Sequence, residues 1–390
     1  MVADRRPPWG SEAFRALLAL TDPWIADADP ARLRRIEALG DVDWAEVLAH
    51  ARRHRVVPLA AHRLEALGPA AGVPAPVAAE FRREAKAALF HEMAMFGELC
   101  RIKAALDGET VPFLVIKGMV LSSEGHGRMG LRVNHDIDLV VSPGDLDRGH
   151  GALTALGYRR AEPEGDPPSD ELARWVKRSK DWVYILPSNG TVVELHHRLF
   201  DNRTLCDPGV MRRARAVMLF GQVEVMTLGE EDEPAYLALH GALHAWSRLK
   251  WLLDMAIIAR KLGPEGTSAL LSRQRKQPAE RALRQAFLLC SELFETEHPV
   301  GRKAAPLSVR LLVAAARRAL NGEGATELEA TRFGTSIKNA SHYLLWCKPA
   351  YLAAELAFDL TDMSRDQDAT GGKVPIWFNR PLAWLVRHRR

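Results

Sequence analysis

The sequence predicts an α+β fold, in which a small mixed sheet is flanked by N-terminal and C-terminal helical regions. Three observations support this class. Residues 11–108 carry apolar side chains at spacings of three and four, as amphipathic helices do. Residues 109–230 contain short β-branched runs that end at Gly, Pro or Asn, and from 231 to about 362 the helical spacing returns. We therefore expect a helical N-terminal region at 1–108, a sheet-containing core at 109–230 and a helical C-terminal domain at 231–390.

Helices and strands follow each other in a definite order. In the N-terminal region, residues 43–67 and 77–107 predict helices, separated by the Pro/Gly-rich "GPAAGVPAP". The core then begins with two predicted strands, "TVPFLVIKG" (110–118) and "HDIDLVV" (135–141). The segment "DLDRGHGALTALGY" (145–158) predicts a helix that ends at Gly157.

The second half of the core predicts a hairpin. After a polar loop at 161–171, the runs "DWVYIL" and "TVVELHH" flank the turn "PSNG" across residues 181–197. Residues 212–220, "RRARAVMLF", predict a solvated helix face, and "GQVEVMTL" (221–228) predicts one more strand.

Composition is typical of a globular protein, with 47% hydrophobic and 26% charged residues. The net charge of +4 permits a local phosphate site but does not favour wrapping of nucleic acid. Four cysteines lie far apart without a CxxC pair, which excludes a zinc knuckle and predicts reduced thiols. The first residues lack the apolar core of a signal peptide, and no apolar run is long enough to span a bilayer. We expect a soluble, cytoplasmic protein without a transmembrane segment.

Two aspartates at the start of the second predicted strand raise the question of function. In "RVNHDIDLVV", Asp136 and Asp138 point to the same face, because side chains alternate along a strand. Two close carboxylates repel each other and are costly to bury without a positive partner. The pair therefore predicts that a cation lies beside it.

A third carboxylate, Glu194, lies in the middle of "TVVELHH" and shares a face with His196. Mg²⁺ prefers oxygen ligands and is commonly held by a few carboxylates together with substrate phosphates. Gly118, which follows the first strand and Lys117, can let backbone amides approach a phosphate chain. Each of these residues also has a structural alternative, since Glu194 can be a paired surface residue and Lys117 a solvated strand end.

Several segments in this order resemble a known family. "VIKGMVLSSEGHGRMGLRVNHDIDLVV", "LTALGY", "VELHHRL" and "HGALHAWSRLKWLLDMA" are similar to the bacterial uncharacterised nucleotidyltransferase family, within the DNA polymerase β-type nucleotidyltransferase superfamily. The resemblance covers roughly residues 40–260. It implies a nucleotidyltransferase core with two Mg²⁺ ions (Mn²⁺ is possible), in which Asp136, Asp138 and Glu194 are the catalytic metal ligands. It also implies that Gly118 is the phosphate-loop glycine.

The phosphate loop departs from the superfamily pattern. Met119 stands where a serine usually follows the glycine, and Lys117 precedes it. We read Lys117 as a substitute phosphate contact. Arg128 and Arg132, which precede the aspartate pair, can reach phosphate or remain solvated.

The segment "HGALHAWSRLKWLLDMA" (240–256) predicts a helix with a second group of polar residues. His240 and His244 share a face, but no glutamate completes an HExxH pattern, so zinc is not predicted. Lys250 can form a simple helix salt bridge with Asp254. The resemblance implies instead that the helix borders the cleft, with Lys250 and His244 facing the nucleotide.

The predicted reaction is transfer of a nucleoside monophosphate from an NTP, with ATP favoured weakly, to a small-molecule, peptide or protein acceptor. Pyrophosphate leaves, and Glu194 is the candidate base. Two alternatives stay open: a degraded site that binds nucleotide without turnover, suggested by Met119, and a toxin-like enzyme that modifies tRNA. Nucleic acid is the less favoured partner, because the chain has no long basic-aromatic stripe. The basic-aromatic tail near the C-terminus predicts packing onto the domain, or contact with a membrane surface or a partner.

Overall fold

The structure is a computed structural model and describes residues 10–26, 29–165, 167–294, 305–322 and 332–361. It confirms the predicted α+β class, because a mixed sheet is preceded and followed in the chain by helices. The basic-aromatic tail lies outside the described residues. No helix among the described residues is both long enough and apolar enough to cross a membrane.

The N-terminal region is helical, as predicted. Its helices are α1 (Glu12–Thr21), α2 (Pro30–Glu37), α3 (Trp44–Arg53), α4 (Val57–Leu67) and α5 (Ala75–Gly108). Helix α3 ends in a tight turn, in which Arg55 has a φ of 58° and the Val56 amide donates to the Ala51 carbonyl at 2.9 Å. This 6→1 bond is typical of a Schellman motif. The turn leads directly into α4.

The strands of the described residues form a mixed sheet and a separate hairpin. They are β1 (Phe113–Ile116), β2 (Asp136–Val141), β3 (Arg159–Glu162), β4 (Asp181–Ile185), β5 (Val192–His196), β6 (Arg215–Leu219) and β7 (Val223–Thr227). The sheet has the order β1-β2-β5-β4-β3, and β6 pairs with β7. Only the β2–β5 pair of this sheet is parallel, whereas its other pairs are antiparallel.

Short helices connect the strands of the core: α6 (Gly118–Leu121), α7 (Leu146–Ala155) and α8 (Ser169–Arg178). The prediction of a polar loop at 161–171 is wrong at both ends, since β3 reaches Glu162 and α8 begins at Ser169. Helix α8 has acidic residues in its first turn and basic residues in its last turn, which suits the helix dipole. Its Asp170–Arg174 pair spans 2.7 Å.

The prediction of a solvated helix face at 212–220 is also wrong. Arg215–Leu219 is strand β6, and it pairs antiparallel with β7. Arg215 is held by a salt bridge of 2.6 Å to Glu124 and one of 3.1 Å to Glu233. These partners come from distant parts of the chain, so the local pattern of basic residues could not reveal them.

The C-terminal region is helical, as predicted. Its helices are α9 (Asp232–Leu243), α10 (Leu249–Arg273), α11 (Glu280–Phe294), α12 (Leu307–Leu320), α13 (Arg332–His342) and α14 (Pro349–Thr361). One buried apolar cluster joins side chains of α1–α5 to side chains of α9–α12, and a second cluster lies around the sheet. The N-terminal and C-terminal helices therefore share a core.

The expectation of one continuous helix at 240–256 is wrong. Helix α9 ends at Leu243 and α10 begins at Leu249, because Ala245 and Trp246 have φ values of 49° and 53°. The Trp246 amide donates to the Gly241 carbonyl at 2.8 Å, which closes a Schellman turn. A Cβ on Gly241 would lie 2.3 Å from the Trp246 ring, so only glycine leaves room for this turn.

Candidate functional site

The parallel pairing of β2 and β5 places the second and third predicted carboxylates side by side. In this register Asp138 lies opposite Glu194, and Asp136 lies opposite Val192. Asp138 is only 2% exposed, whereas Glu194 is partly buried. One ligand atom from each of Asp138, Glu194 and His196 lies within 4.8 Å of the others, so these residues could hold a metal ion.

Side-chain cations surround the carboxylates. The Lys117 Nζ lies 2.8 Å from Asp138 Oδ1, and the Lys180 Nζ lies 3.3 Å from Glu194 Oε2. His196 Nε2 lies 3.1 Å from Asp138 Oδ1 and 3.2 Å from Glu194 Oε2, so it bridges the two carboxylates. The predicted positive partner of the aspartate pair is thus supplied in part by the chain itself.

These contacts shift the pKa values of the cluster in opposite directions. Burial and the nearby charge of Asp138 raise the pKa of Asp136 to about 6. Burial also raises the pKa of Glu194, but the hydrogen bond from His196 and the charge of Lys180 outweigh it, and the pKa falls below its ordinary value. Burial lowers the pKa of Lys117, but the charge of Asp138 reverses this effect and holds the pKa well above its ordinary value. Glu194 and Lys117 are therefore charged at neutral pH.

A strained turn directs Lys117 at the carboxylates. Strand β1 ends at Ile116, and Lys117 then has a φ of 55°, a conformation that is uncommon for a residue with a side chain. Gly118 follows with a φ of 36°. Met119, which stands at the usual serine position, is 2% exposed and packs into the apolar cluster around the sheet. Its side chain therefore belongs to the core, and Lys117 is the polar side chain that this loop contributes.

One cavity of about 790 Å³ is lined by all the predicted site residues except Arg128, which is exposed and lies outside the wall. The predicted residues in its wall are Lys117, Gly118, Arg132, Asp136, Asp138, Glu194, His244 and Lys250. The wall takes side chains from the sheet, from the turn after α3, from α8, and from the C-terminal helices α9, α10, α13 and α14. The cavity therefore lies where the sheet meets both helical regions.

Arg132 lies in this wall, but its guanidinium is bound by the protein. It donates to both carboxylate oxygens of Asp254, at 2.9 and 3.0 Å, and to the Asn134 side chain. Arg132 is 7% exposed. The Asn134 amide in turn donates to Glu92 on α5 at 2.8 Å. This network ties the loop before Asp136 to two helices.

Lys250 makes a different contact from the helix salt bridge that we considered. Its Nζ donates to the Val133 carbonyl at 3.3 Å, while Asp254 is paired with Arg132. Burial, together with the charges of Arg132 and Arg55, lowers the pKa of Lys250 to about 7. Lys250 is thus a buried amine in the cavity wall whose charge depends strongly on its surroundings.

Sequence reasoning did not give a role to several residues of the wall. His196 was seen only as a same-face neighbour of Glu194, although the spacing "ELH" was a usable signal for a bridge. Lys180 reaches Glu194 from the residue before β4, and Arg55 enters from the turn after α3. Neither has a local sequence signal, because each reaches the cavity through tertiary packing.

The sheet, its adjacent carboxylates and the cavity above them belong to a protein of the nucleotidyltransferase class. The chain belongs to the uncharacterised nucleotidyltransferase family, whose family model matches residues 40–295. This match confirms the resemblance drawn from the sequence motifs. The matched residues begin before α3, so they include Arg55.

Among solved structures, the chain is similar to the antibiotic-resistance factor ANT(2'')-Ia, determined in solution. The two are 14% identical with a TM-score of 0.35, and the alignment covers 48% of this chain and 95% of that one. Among curated proteins, none matches this chain.

Proposed function

We propose that the protein transfers a nucleoside monophosphate from an NTP to an acceptor, with Asp136, Asp138 and Glu194 as the metal-binding and catalytic carboxylates. The observation that carries this proposal is the register of β2 and β5, which places Asp138 beside Glu194 in the wall of a large cavity. Family membership supports nucleotidyl transfer in general. The acceptor, the nucleotide and the metal are parts of the proposal.

The donor set suits Mg²⁺. Carboxylate oxygens from Asp136, Asp138 and Glu194 are the hard ligands that Mg²⁺ takes in phosphate-transfer sites, and the nearby imidazole of His196 would also suit Mn²⁺. When two such ions are bound, they neutralise phosphate charge and lower the pKa of the attacking group. His196, which touches both Asp138 and Glu194, orients these side chains.

The cationic side chains of the cavity suit a triphosphate. Lys117 and Lys250 would bind phosphate oxygens as point charges, beside the backbone of Gly118. Arg132 would act mainly by holding the loop before Asp136, since Asp254 occupies its guanidinium. His244 would contact the nucleoside part of the substrate.

The reaction balances without a covalent intermediate. An acceptor hydroxyl, amine or phosphate oxygen forms a bond to the α-phosphorus, the bond from that phosphorus to the β-phosphate oxygen breaks, and pyrophosphate leaves. Where the acceptor carries a proton, a carboxylate of the site takes it, and Asp136, whose pKa burial raises to about 6, is a stronger base than Glu194, the candidate that the sequence suggested. We favour a small-molecule, peptide or protein acceptor, and ATP only weakly over other NTPs.

The test uses the full chain with α-³²P-labelled ATP, GTP, CTP and UTP, Mg²⁺ or Mn²⁺, and a size-fractionated extract. The variants are Asp138→Asn and, as a matched control, Asp147→Asn, which changes an exposed aspartate outside the cavity wall. Label should move to one fraction with the wild type and the control but not with Asp138→Asn. Label in the tRNA fraction would favour the toxin-like alternative. Nucleotide binding without transfer would favour the degraded-site alternative, and neither binding nor transfer would overturn the proposal.

A further inference from the structure

Aromatic and imidazole rings form a continuous part of the cavity wall beside the carboxylates. Tyr236, His240 and His244 follow each other at intervals of four on α9 and its C-terminal cap, so they share one face. All three line the cavity, as does Trp251 of α10. We call His240, His244 and Trp251 the ring wall.

The rings of this wall contact one another. The centroids of His240 and His244 are 4.7 Å apart, and that of Trp251 lies 5.5 Å from His240 and 5.1 Å from His244. The Schellman turn ends α9, and Trp251 of the next helix then packs against His240 and His244. The ring wall therefore depends on the break between α9 and α10, which the sequence did not predict.

Tyr236, which precedes the ring wall on the same face of α9, lies near the carboxylates, and the charge of Lys117 also reaches His240 and His244. Tyr236 lies close enough to Lys117 and Asp138 for their charges to act on its pKa. Each interval of four residues advances about 6 Å along a helix, so His240 and His244 lie about one and two such steps beyond Tyr236. Because both groups line one cavity, a ligand whose phosphates lie at Asp136 and Asp138 can reach the ring wall with its other end.

The ring wall differs chemically from the phosphate-binding part of the cavity. Burial lowers the pKa of His240 well below its ordinary value and lowers that of His244 to about 3, so both rings are neutral at pH 7. Neutral imidazoles carry no charge to attract phosphate, but they offer π faces and one donor and one acceptor each. Lys117 and Lys250 line the same cavity, and their positive charges add to the effect of burial on the pKa of His240.

We propose, on the basis of the proposed function, that the ring wall is the nucleobase subsite. The base of the NTP stacks against His240, His244 and Trp251 while its phosphates lie at the lysines and carboxylates. Stacking on aromatic rings does not discriminate among the bases, since every base has a π face. Selection among bases would then come from the ring nitrogens of His240 and His244.

The experiment measures how much the nucleobase contributes to binding, apart from the contribution of the phosphates. Binding of the four non-hydrolysable α,β-methylene NTP analogues and of inorganic tripolyphosphate is measured by calorimetry, with Mg²⁺ present. Stacking should make at least one analogue bind about tenfold more tightly than tripolyphosphate. In His240→Leu this ratio should fall to about threefold or less, with unchanged tripolyphosphate binding, whereas His240→Phe should keep most of it because a ring remains.

The control is His150→Leu, which changes a partly buried histidine outside the cavity wall and should keep the wild-type ratio. If tripolyphosphate binds the wild type as tightly as every analogue does, the nucleobase subsite is overturned while the phosphate site of the proposed function stands. If His240→Leu folds and keeps the full ratio, the assignment to the ring wall is wrong. If neither tripolyphosphate nor any analogue binds, both proposals fail.

Discussion

The Lys117 Nζ lies 2.8 Å from Asp138 Oδ1, and this ion pair occupies the part of the cavity where a metal ion would meet the carboxylate. The exposed fractions of the two side chains are 12% and 1%, so solvent screens the pair only weakly. The strained turn after β1 holds the lysine in this direction. An incoming cation must therefore compete with a charge that the chain itself provides.

The first prediction concerns this competition. Lys117→Met should raise the affinity for Mn²⁺ by roughly three- to tenfold, because the cation no longer has to displace an ammonium group. Without cations, the variant should lose about 1–3 kcal/mol of stability, since the buried Asp138 keeps its contact with His196 but loses its ammonium partner. Calorimetric Mn²⁺ titration and urea unfolding measure the two effects.

Lys103→Met is the matched control, because Lys103 pairs with Asp107 on the surface of α5 at 2.6 Å. It should change neither the Mn²⁺ affinity nor, by more than about 1 kcal/mol, the stability. If Lys117→Met binds Mn²⁺ with the same affinity as the wild type, Lys117 does not compete with the cation for Asp138.

The second prediction concerns Arg132 and Asp254, whose side chains are both buried. Arg132→Met should destabilise the fold by about 3–5 kcal/mol, because it leaves the Asp254 carboxylate without its partner. The double variant Arg132→Met/Asp254→Leu should recover much of this loss, since it removes both charges. Urea unfolding of the single and double variants gives the coupling energy. A single variant that unfolds like the wild type, yet binds nucleotide poorly, would instead support the phosphate contact expected from the sequence.

The third prediction concerns the pH dependence of nucleotide binding through Lys250. Burial and the charges of Arg132 and Arg55 lower its pKa to about 7, against the opposing effect of Asp136 and Asp254. At pH 8 the free amine is mostly neutral, and a bound polyphosphate would raise its pKa, so binding should take up a proton. At pH 6 the amine is already charged, and uptake by this group should vanish.

Calorimetry in two buffers with different ionisation enthalpies measures this proton uptake, with a non-hydrolysable NTP analogue as the ligand. Lys250→Met should abolish the uptake at pH 8 and weaken binding mainly at pH 6. The same uptake in Lys250→Met as in the wild type would assign it to another group.

The fourth prediction concerns the turn between α9 and α10. Gly241→Ala should destabilise the protein by about 1–3 kcal/mol or more, because the added methyl group overlaps the buried Trp246 ring. Gly97→Ala on α5 is the control, since a Cβ there meets nothing within 4 Å. That change should stabilise the helix by roughly 0.5–1 kcal/mol. Thermal unfolding gives the melting temperatures of the two variants. If Gly241→Ala melts at the same temperature as Gly97→Ala, the turn adjusts to the added methyl group.

Much of the fold was predictable because its signals are local. The runs around β1, β2, β4, β5 and β7 alternate or cluster their apolar residues, and the structure confirms each of these strands. Strand β6 was missed, because its basic residue and its exposed Met218 resemble a solvated helix face, and only its pairing with β7 makes it a strand. The helix break at Ala245 was missed for a similar reason, since a buried Trp246 against Gly241 decides it.

The sequence by itself determined that Asp136 and Asp138 share a face, because alternation along a strand is a property of the backbone. It also determined that Lys117 and Gly118 follow a buried strand, and the family motifs named Glu194 as the third carboxylate. Only the tertiary structure decided that Glu194 lies in register with Asp138, that Lys117 pairs with Asp138, and that Arg132 is bound by Asp254. Strand register and long-range ion pairs depend on how distant segments pack, and no local pattern of residues encodes these distances.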